Sequence, residues 1–396
     1  MIELFKRLFT VTLTEWKVIF RDPAGLLIIG VASILYAFYC PFPYLTQVAN
    51  DVPAAVVDLD HTPMSRQLIQ MSDATQQIDV KYVFSDMQAA KEALAEGKIF
   101  GFMVIPEDME KKLKNGENTG VTVFTHGAYV MLHGNIGTAF STCALTLGAT
   151  TKVRRIAISK QVPAAKAIAM RDPIPLSIQT MYNNTGSYPN FVVPGILMLI
   201  LQQTMVIGIC VMGGSRARRK FRNQFMDSAV ENESLPYRYF GRVLTYVLHY
   251  CVFLSIYHFV VYPLLDLPRR GDVFSILIFG GVFFFAAANF GMVVSQVFLR
   301  RDTSMQLILF LSMPILMLSN FSWPNVLLPG WMKAFSYILP STLAIPTWLT
   351  IEQRGADFHD VAKLLYPLAL QAIFYMLLGI LLTHLRETSR LKTGEM

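Results

Sequence analysis

Asp58, Asp60 and His61 place three residues of metal-ligating type within four positions. An acidic segment at the end of a strand can hold a cation, and it can equally close a turn by hydrogen bonding its own backbone. His126 and His133 are seven apart. They lack both the four-residue spacing and the glutamate with which a helical zinc motif turns two imidazoles onto one metal. No G-x-S-x-G elbow and no paired-carboxylate constellation is present, so neither a metal centre nor catalysis is expected. Cys40, Cys143, Cys210 and Cys251 are too scattered for a disulfide framework and read as small apolar side chains. The phosphate loop G-x-x-x-x-G-K-[ST] is missing, so ATP hydrolysis and any cofactor would have to come from another chain.

The elements that carry these residues are set by composition. Of the 396 residues 53% are hydrophobic and 15% charged, against roughly 25% charged in soluble domains. A bilayer crossing takes about 20 apolar residues. Stretches of that kind run from Ala24 to Tyr44, Phe191 to Ser215, Val243 to Leu265, Val273 to Leu299, Thr303 to Leu318 and Leu364 to Leu385. The fold class expected is a polytopic α-helical membrane protein with six transmembrane helices, a re-entrant segment over 320–351 and an inserted α/β extracytoplasmic domain. The re-entrant reading comes from Pro324, Pro329, Pro340 and Pro346 in an otherwise apolar stretch, since irregular backbone at membrane depth needs protein or water around it.

Six spans put both termini on one side. The segments 1–24, 214–242, 300–306 and 386–396 together hold 16 Lys and Arg against 9 Asp and Glu, and the rest of the chain balances at 18 of each sign. The whole net charge of +7 therefore lies on one face, which the positive-inside rule makes cytoplasmic. The bilayer explains the basic excess, and no nucleic-acid partner is expected.

Four regions follow. Residues 1–23 form a cytoplasmic helix with Phe5, Phe9, Thr12, Trp16 and Ile19 on one side and charged residues on the other. That pattern suits a helix lying in the lipid interface or one that packs on a cytoplasmic partner. Residues 24–44 are the first span. Residues 45–190, with 13 basic and 13 acidic residues, alternate strands at Ala54–Leu59, Ile78–Phe84, Phe100–Ile105 and Val121–Thr125 with amphipathic helices, the second of them opened by Ser85 and Gln88. Residues 191–396 hold the remaining spans, with a cytoplasmic loop over 214–242. In that loop the cluster Arg216, Arg218, Arg219, Lys220 and Arg222 marks orientation or lipid contact, and the aromatic and acidic residues beyond it suit a coupling element.

A charge at the bilayer centre costs about 2.5 to 3.5 kcal/mol. None of the six stretches keeps one, and His249 and His258 have no carboxylate beside them within the stretches, which argues against an ion-coupled carrier and against an intramembrane enzyme. If the protein moves a cargo, a separate ATPase docked on the basic face supplies the energy.

The chain resembles the permease subunits of ABC type 2 exporters, in the branch with a large extracytoplasmic domain between spans one and two. Glu15-Trp16-Lys17 with Arg21-Asp22-Pro23 resembles the family's opening K-E-x-x-x-x-x-R-D pattern, with Thr14 in place of the Lys. Ala54 to Asp60 with Ser65-Arg66 is similar to its V-V-D-x-D start of the outer domain. Gly97 to Gly116 is similar to its G-x-x-x-x-x-x-V-I-P stretch, Phe191-Val192-Val193-Pro194-Gly195 to its F-x-x-P-G, and Pro324, Pro329, Trp331 and Pro340 to its broken segment. The loop departs from the family, because Glu231-Asn232-Glu233-Ser234-Leu235-Pro236 lacks the usual Gly-Thr.

That resemblance implies a homo- or heterodimer of permeases with two ATP-binding subunits, which hold the ATP and Mg, in a bacterial inner membrane with both termini cytoplasmic. It implies export of a hydrophobic or amphipathic, drug-like compound, and in some systems a periplasmic adaptor and an outer-membrane channel. Coupling to the ATPase is assigned to Glu15, Arg21, Asp22, Phe225, Glu231, Glu233 and Tyr237. The substrate path is assigned to Gln202, Gln203, Met205, Phe310 and Asn320, and the outer gate to Pro324, Pro329, Trp331 and Pro340. A lipid or envelope-precursor exporter of the same fold, and a membrane-anchored receptor or assembly factor that transports nothing, are the competing readings.

Overall fold

The structure is a computed structural model that describes residues 2–44, 50–172, 181–182, 187–221, 230, 233–297, 301–321 and 323–392. The chain divides into two units, residues 46–179 and the remainder.

Helices α1 (Ile2–Arg21) and α2 (Pro23–Tyr39) open the larger unit and meet at 88°. The corner is written in Arg21-Asp22-Pro23. Pro23 takes the first position of α2, where a missing N–H costs nothing, and Asp22 Oδ1 accepts the N–H groups of Ala24 and Gly25 at 3.1 Å each. In α2 the buried residues Gly25, Ile29, Ser33 and Ala37 recur every four positions. Each such step overshoots a 3.6-residue turn by about 40°. The wider π-helical turn over Leu26–Ala32 absorbs the overshoot and keeps the stripe on one face.

The smaller unit is built on strands β1 (Val52–Asp58), β2 (Ile78–Phe84), β3 (Gly101–Ile105) and β4 (Thr122–Thr125), in the order β2-β1-β3-β4 with only β4 antiparallel. Central β1 is apolar on both faces. Val52, Ala54 and Val56 pack with Leu68 of α3 (Pro63–Asp73), while Ala55 and Val57 pack with Ala90 and Ala93 of α4 (Met87–Ala95). α4 is capped by Asp86, which accepts from Gln88 and Ala89 N–H, and not by Ser85 as the capping-box spacing suggests. α5 (Met109–Asn115) ends at Gly116 and α6 (Val130–Lys160) lays Ile136, Phe140 and Leu147 on the sheet; α7 (Ala164–Arg171) turns back along it.

The larger unit continues with α8 (Tyr188–Phe221), α9 (Leu235–Leu264), α10 (Val273–Val297), α11 (Arg301–Leu318), α12 (Gly330–Ser336), α13 (Pro340–Arg354) and α14 (Phe358–Lys392). The protein is thus a multi-pass helical membrane protein by the length and composition of these elements. Among the described residues α8, α9, α10 and α14 each hold a stretch long and apolar enough to cross a bilayer, and the bent pairs α1–α2 and α12–α13 raise the number to as many as six. The α12–α13 bend is 81°, with Pro340 opening α13. In α11 the apolar portion is the shorter Ile308–Leu318.

Helix packing relies on small residues, as expected where lipid tails remove the solvent drive between helices. The α1–α9 contact closes at Gly241, where a Cβ would come within 2.5 Å of Val11 Cγ1, and the α2–α8 contact closes at Gly208 against Ile29. Gly241→Ala should therefore overpack the contact and cost about 1 to 3 kcal/mol. A lowered unfolding temperature of the detergent-purified protein is the expected readout, and an unchanged one would mean that α1 is not held there.

Candidate coupling site

The inward face of α1 carries Val11, Thr12, Glu15 and Ile19, all buried, at helical spacing. Glu15 is 4% exposed, which for a carboxylate demands partners. They come from two other helices. Arg216 of α8 donates Nη1–H to Oε1 at 2.8 Å, Arg242 of α9 brings Nε to 3.6 Å from Oε2, and the Tyr246 hydroxyl of α9 donates to Oε1 at 3.4 Å. One charge thereby ties α1, α8 and α9 together.

Polar contacts extend the seam along α9. Thr12 Oγ1 donates to Gly241 O at 3.3 Å, Thr245 Oγ1 donates to Thr12 O at 3.1 Å, and Trp16 Nε1–H donates to His249 Nδ1 at 3.2 Å. Arg7 at the free end of α1 approaches Glu233 at 3.8 Å, and its guanidinium lies 5.8 Å from the Tyr237 ring centroid. Below this, Arg238 donates to both oxygens of Glu387 on α14 at 2.9 and 3.1 Å, and Tyr239 OH donates to Asn289 of α10 at 2.8 Å. The outward face of α1 is a shallow groove of Leu13, Trp16, Lys17, Phe20 and Arg21.

Of the residues expected to couple, Glu15, Glu233 and Tyr237 thus gather on or against α1. Asp22 is buried as the cap of α2, and Arg21 is exposed beside Trp16 and Phe20. Phe225 and Glu231 lie outside the described residues, as do Arg222 and the side chains of Arg218, Arg219 and Lys220. Sequence reading counted Arg216 only among an orientation cluster and did not single out Arg242. The available signal was their basic charge opposite the one inward acid of α1.

The path and gate residues are more dispersed. Gln202 is 1% exposed and donates Nε2–H to Ser341 Oγ on α13 at 3.2 Å, while Gln202 Oε1 and Gln203 Nε2 have no partner among the described residues. Met205 is fully buried, whereas Phe310 is 78% exposed. Asn320 adopts a φ of 58° and its Oδ1 accepts the Asn325 N–H at 2.8 Å, closing a turn ahead of α12. Pro324 lies within that turn and Pro329 just before α12, Trp331 is exposed on α12, and Pro340 is the buried first residue of α13.

A carboxylate does stand beside one of the buried histidines, against the sequence expectation. The uncharged stretch ends at Ile351, but α13 runs to Arg354 and encloses Glu352 at 0% exposure, 2.9 Å from His258 Nδ1 on α9. Among the described residues no group of three or more His, Cys, Asp or Glu could hold a metal. Asp58 accepts from Asp60 N–H, His61 N–H and Ser65 Oγ–H, and Asp60 accepts from Thr62 Oγ–H and Glu110 N–H, so both close turns and helix ends.

Residues 24–381 match the family model described as ABC-2 family transporter protein. The chain is 22% identical over 375 residues to the probable multidrug ABC transporter permease YbhS of Escherichia coli K12, covering 89% of each chain. It is 31% identical over 125 residues to the linearmycin resistance permease protein LnrN of Bacillus subtilis, 31% of each chain. Over 195 residues it is 26% identical to ABC transporter G family member 20 of Dictyostelium discoideum, 48% of this chain and 26% of that one.

Removing one member of a buried ion pair strands the other charge, at about 3 kcal/mol where the partners keep some water, as Arg216 and Arg242 do. Glu15→Gln should lower the unfolding temperature of the purified protein and Glu15→Gln with Arg216→Gln should recover part of the loss. Additive losses would mean that the pair is not an electrostatic unit.

Proposed function

The chain belongs to the ABC-2 transporter family as the membrane subunit of an ABC exporter, and from that premise we propose how it works. Two permeases pair and dock two ATP-binding subunits, which hold ATP and Mg, and together they move a hydrophobic or amphipathic drug-like compound from the cytoplasm or inner leaflet. The names of two relatives, a multidrug permease and a linearmycin resistance permease, support a cargo of that kind.

One observation carries the coupling mechanism. The Glu15 carboxylate joins α1 to α8 and α9, and Arg7 joins the other end of α1 to Glu233 and Tyr237. A push on the 214–242 loop by a closing ATPase dimer is then a push on α1, and through Glu15 on both helices behind it. A helix anchored at Glu15 transmits displacement because that buried carboxylate cannot slide without stranding a charge, while the exposed Arg7 contact guides the other end.

In this reading the basic face is cytoplasmic, both termini lie there, the membrane is the bacterial inner membrane, and the unit over 46–179 stands outside, where an adaptor and an outer-membrane channel would meet it. α12 and α13 re-enter the bilayer from the outer side, and Asn320, Pro324, Pro329, Trp331 and Pro340 shape the outer gate. Leu309, Phe310 and Met313 expose an apolar face of α11 that suits the second permease or lipid. The unpartnered Gln202 Oε1 and Gln203 Nε2 are groups that a passing cargo can satisfy once α13 shifts.

The test is purification in mild detergent from the native host, with mass identification of what accompanies the permease, followed by ATPase assays. A stoichiometric P-loop ATPase is expected, and a permease isolated without one would overturn the exporter mechanism. In the reconstituted complex, Glu233→Ala with Tyr237→Ala should reduce cargo-stimulated ATP hydrolysis about tenfold while basal assembly persists. Full stimulation in that variant would remove the loop from the mechanism.

A further inference from the structure

His258 and Glu352 are both buried, at 5% and 0% exposure, in a part of the larger unit far along α9 from Glu15. The Nδ1–Oε1 separation is 2.9 Å, yet the two atoms are not aligned as a hydrogen bond, and His258 Nδ1 and both Glu352 oxygens are buried without a hydrogen-bond partner among the described residues. His258 sits in a π-helical turn, Tyr257–Val261, and the extra residue in that turn is what re-aims a side chain relative to a regular helix. On the other side, Glu352 belongs to the last turn of α13, the longer arm of the 81° bend.

The surroundings leave the pair little else to lean on. On α9, Tyr262 accepts from Trp348 Nε1–H at 2.7 Å and keeps its own O–H as a donor, and Tyr257 donates to Ser33 O at 2.5 Å. In the 265–272 segment, Arg269 is exposed. Arg270 donates its backbone N–H to Glu352 O at 3.0 Å and its guanidinium to Gln353 O at 3.2 Å. Asp266 is exposed, and Asp272 caps α10 through Ser275 N–H. α10 itself contributes no ionisable side chain. Arg354 on α13 and His359, Asp360 and Lys363 at the start of α14 are exposed. From α8 the neighbour is neutral: Gln353 Nε2 donates to Asn190 O at 2.5 Å.

We propose that His258 and Glu352 together hold one proton and form a clamp that fixes the bent α12–α13 segment to α9, positioning the segment for export. With a single shared proton the pair has no net charge, whichever atom carries it. Loss of that proton leaves a buried carboxylate, and gain of a second leaves a buried cation. Either event weakens the clamp, so the segment is held firmest in the pH band between them. The chemistry is a reversible proton transfer, with no bond made or broken beyond N–H and O–H. The positioning role rests on the exporter reading, whereas the clamp does not.

Hydrogen–deuterium exchange of the peptide spanning 340–354, measured on the full-length permease in lipid nanodiscs, separates the two. Wild type, Glu352→Gln, His258→Gln and the double variant are compared at matched pH, so that intrinsic exchange cancels. Each single substitution should raise exchange about tenfold or more, because it leaves a buried polar group without the partner it shared a proton with, and the double variant should be less perturbed than either. The wild-type to double-variant ratio should pass through a minimum in pH. Additive effects with a pH-independent ratio overturn the clamp. In the complex with its ATPase, Glu352→Gln should lose cargo transport and retain bound ATPase. Exchange results as expected with wild-type transport would leave the clamp standing and overturn its part in export. Absence of any ATPase would instead strike the exporter reading and leave the exchange result untouched.

Discussion

A carboxylate withdrawn from water stays charged only if cations are fixed against it, and the larger unit is arranged around that demand at Glu15. The residue lies on α1, which without it would be an amphipathic helix with a modest apolar stripe and no reason to choose one orientation over another. Arg216 on α8 and Arg242 on α9 supply the cations, and each would be a poorly solvated charge were Glu15 absent. The three helices therefore specify one another's placement. Apolar contacts along Val11 and Ile19 add adhesion, and the charge fixes register together with the Thr12, Thr245 and Trp16 hydrogen bonds, because a shift of one turn, about 5.4 Å, would separate Glu15 from both arginines and break those bonds.

The bends have equally local causes. Asp22 and Pro23 stop α1 and restart the chain at a right angle by satisfying the first N–H groups of α2 with a side chain instead of water. The bend before α13 shares only the proline: Pro340 takes the first position of that helix, and its N-cap, Leu339, offers no side-chain acceptor. Between these corners α9 carries three polar layers. Arg242 and Tyr246 meet Glu15, Tyr250 and Tyr257 join a hydroxyl cluster with Ser33 and Thr204, and His258 meets Glu352. Arg242 and His258 are sixteen residues apart, or about 24 Å along a helix. That is shorter than the roughly 30 Å thickness of a hydrocarbon core, and the uncharged hydroxyl layer lies between the two ionic ones.

Much of this was open to the sequence and some of it was closed for identifiable reasons. The strands of the smaller unit fall within two residues of the short apolar runs that mark them, and β1, flanked by helices on both faces, is apolar on both. The corner at Asp22 was readable from its cap and proline. Helix ends were less so: an apolar window stops α9 at Val243, yet the helix begins at Leu235, since helices continue past the point where charges become affordable. Glu352 was lost in the same way, one residue beyond the uncharged stretch that ends at Ile351. The π-helical turns left no mark in composition, although the strict four-residue spacing of Gly25, Ile29, Ser33 and Ala37 is one that a regular α-helix cannot keep on a single face.

The separation of the two ionic layers bears on how motion could pass through the unit. Glu15 has two cations for one anion and faces partners that retain about a fifth of their side-chain exposure, so water can follow a small displacement and moderate its cost. Glu352 has one cationic neighbour, no exposure and no hydrogen bond to either side-chain oxygen among the described residues, so it has no such cushion. The first layer suits an element that shifts while staying joined, and the second suits one that is either closed or open. α9 runs from the one to the other, and the π-helical turn at Tyr257–Val261 lies next to the second layer, where a local change in winding can uncouple His258 from the rest of the helix. A displacement entering at the Glu15 end would therefore arrive at the Glu352 end as a threshold event, because packed interiors with an all-or-none ionic contact respond in steps and not in proportion.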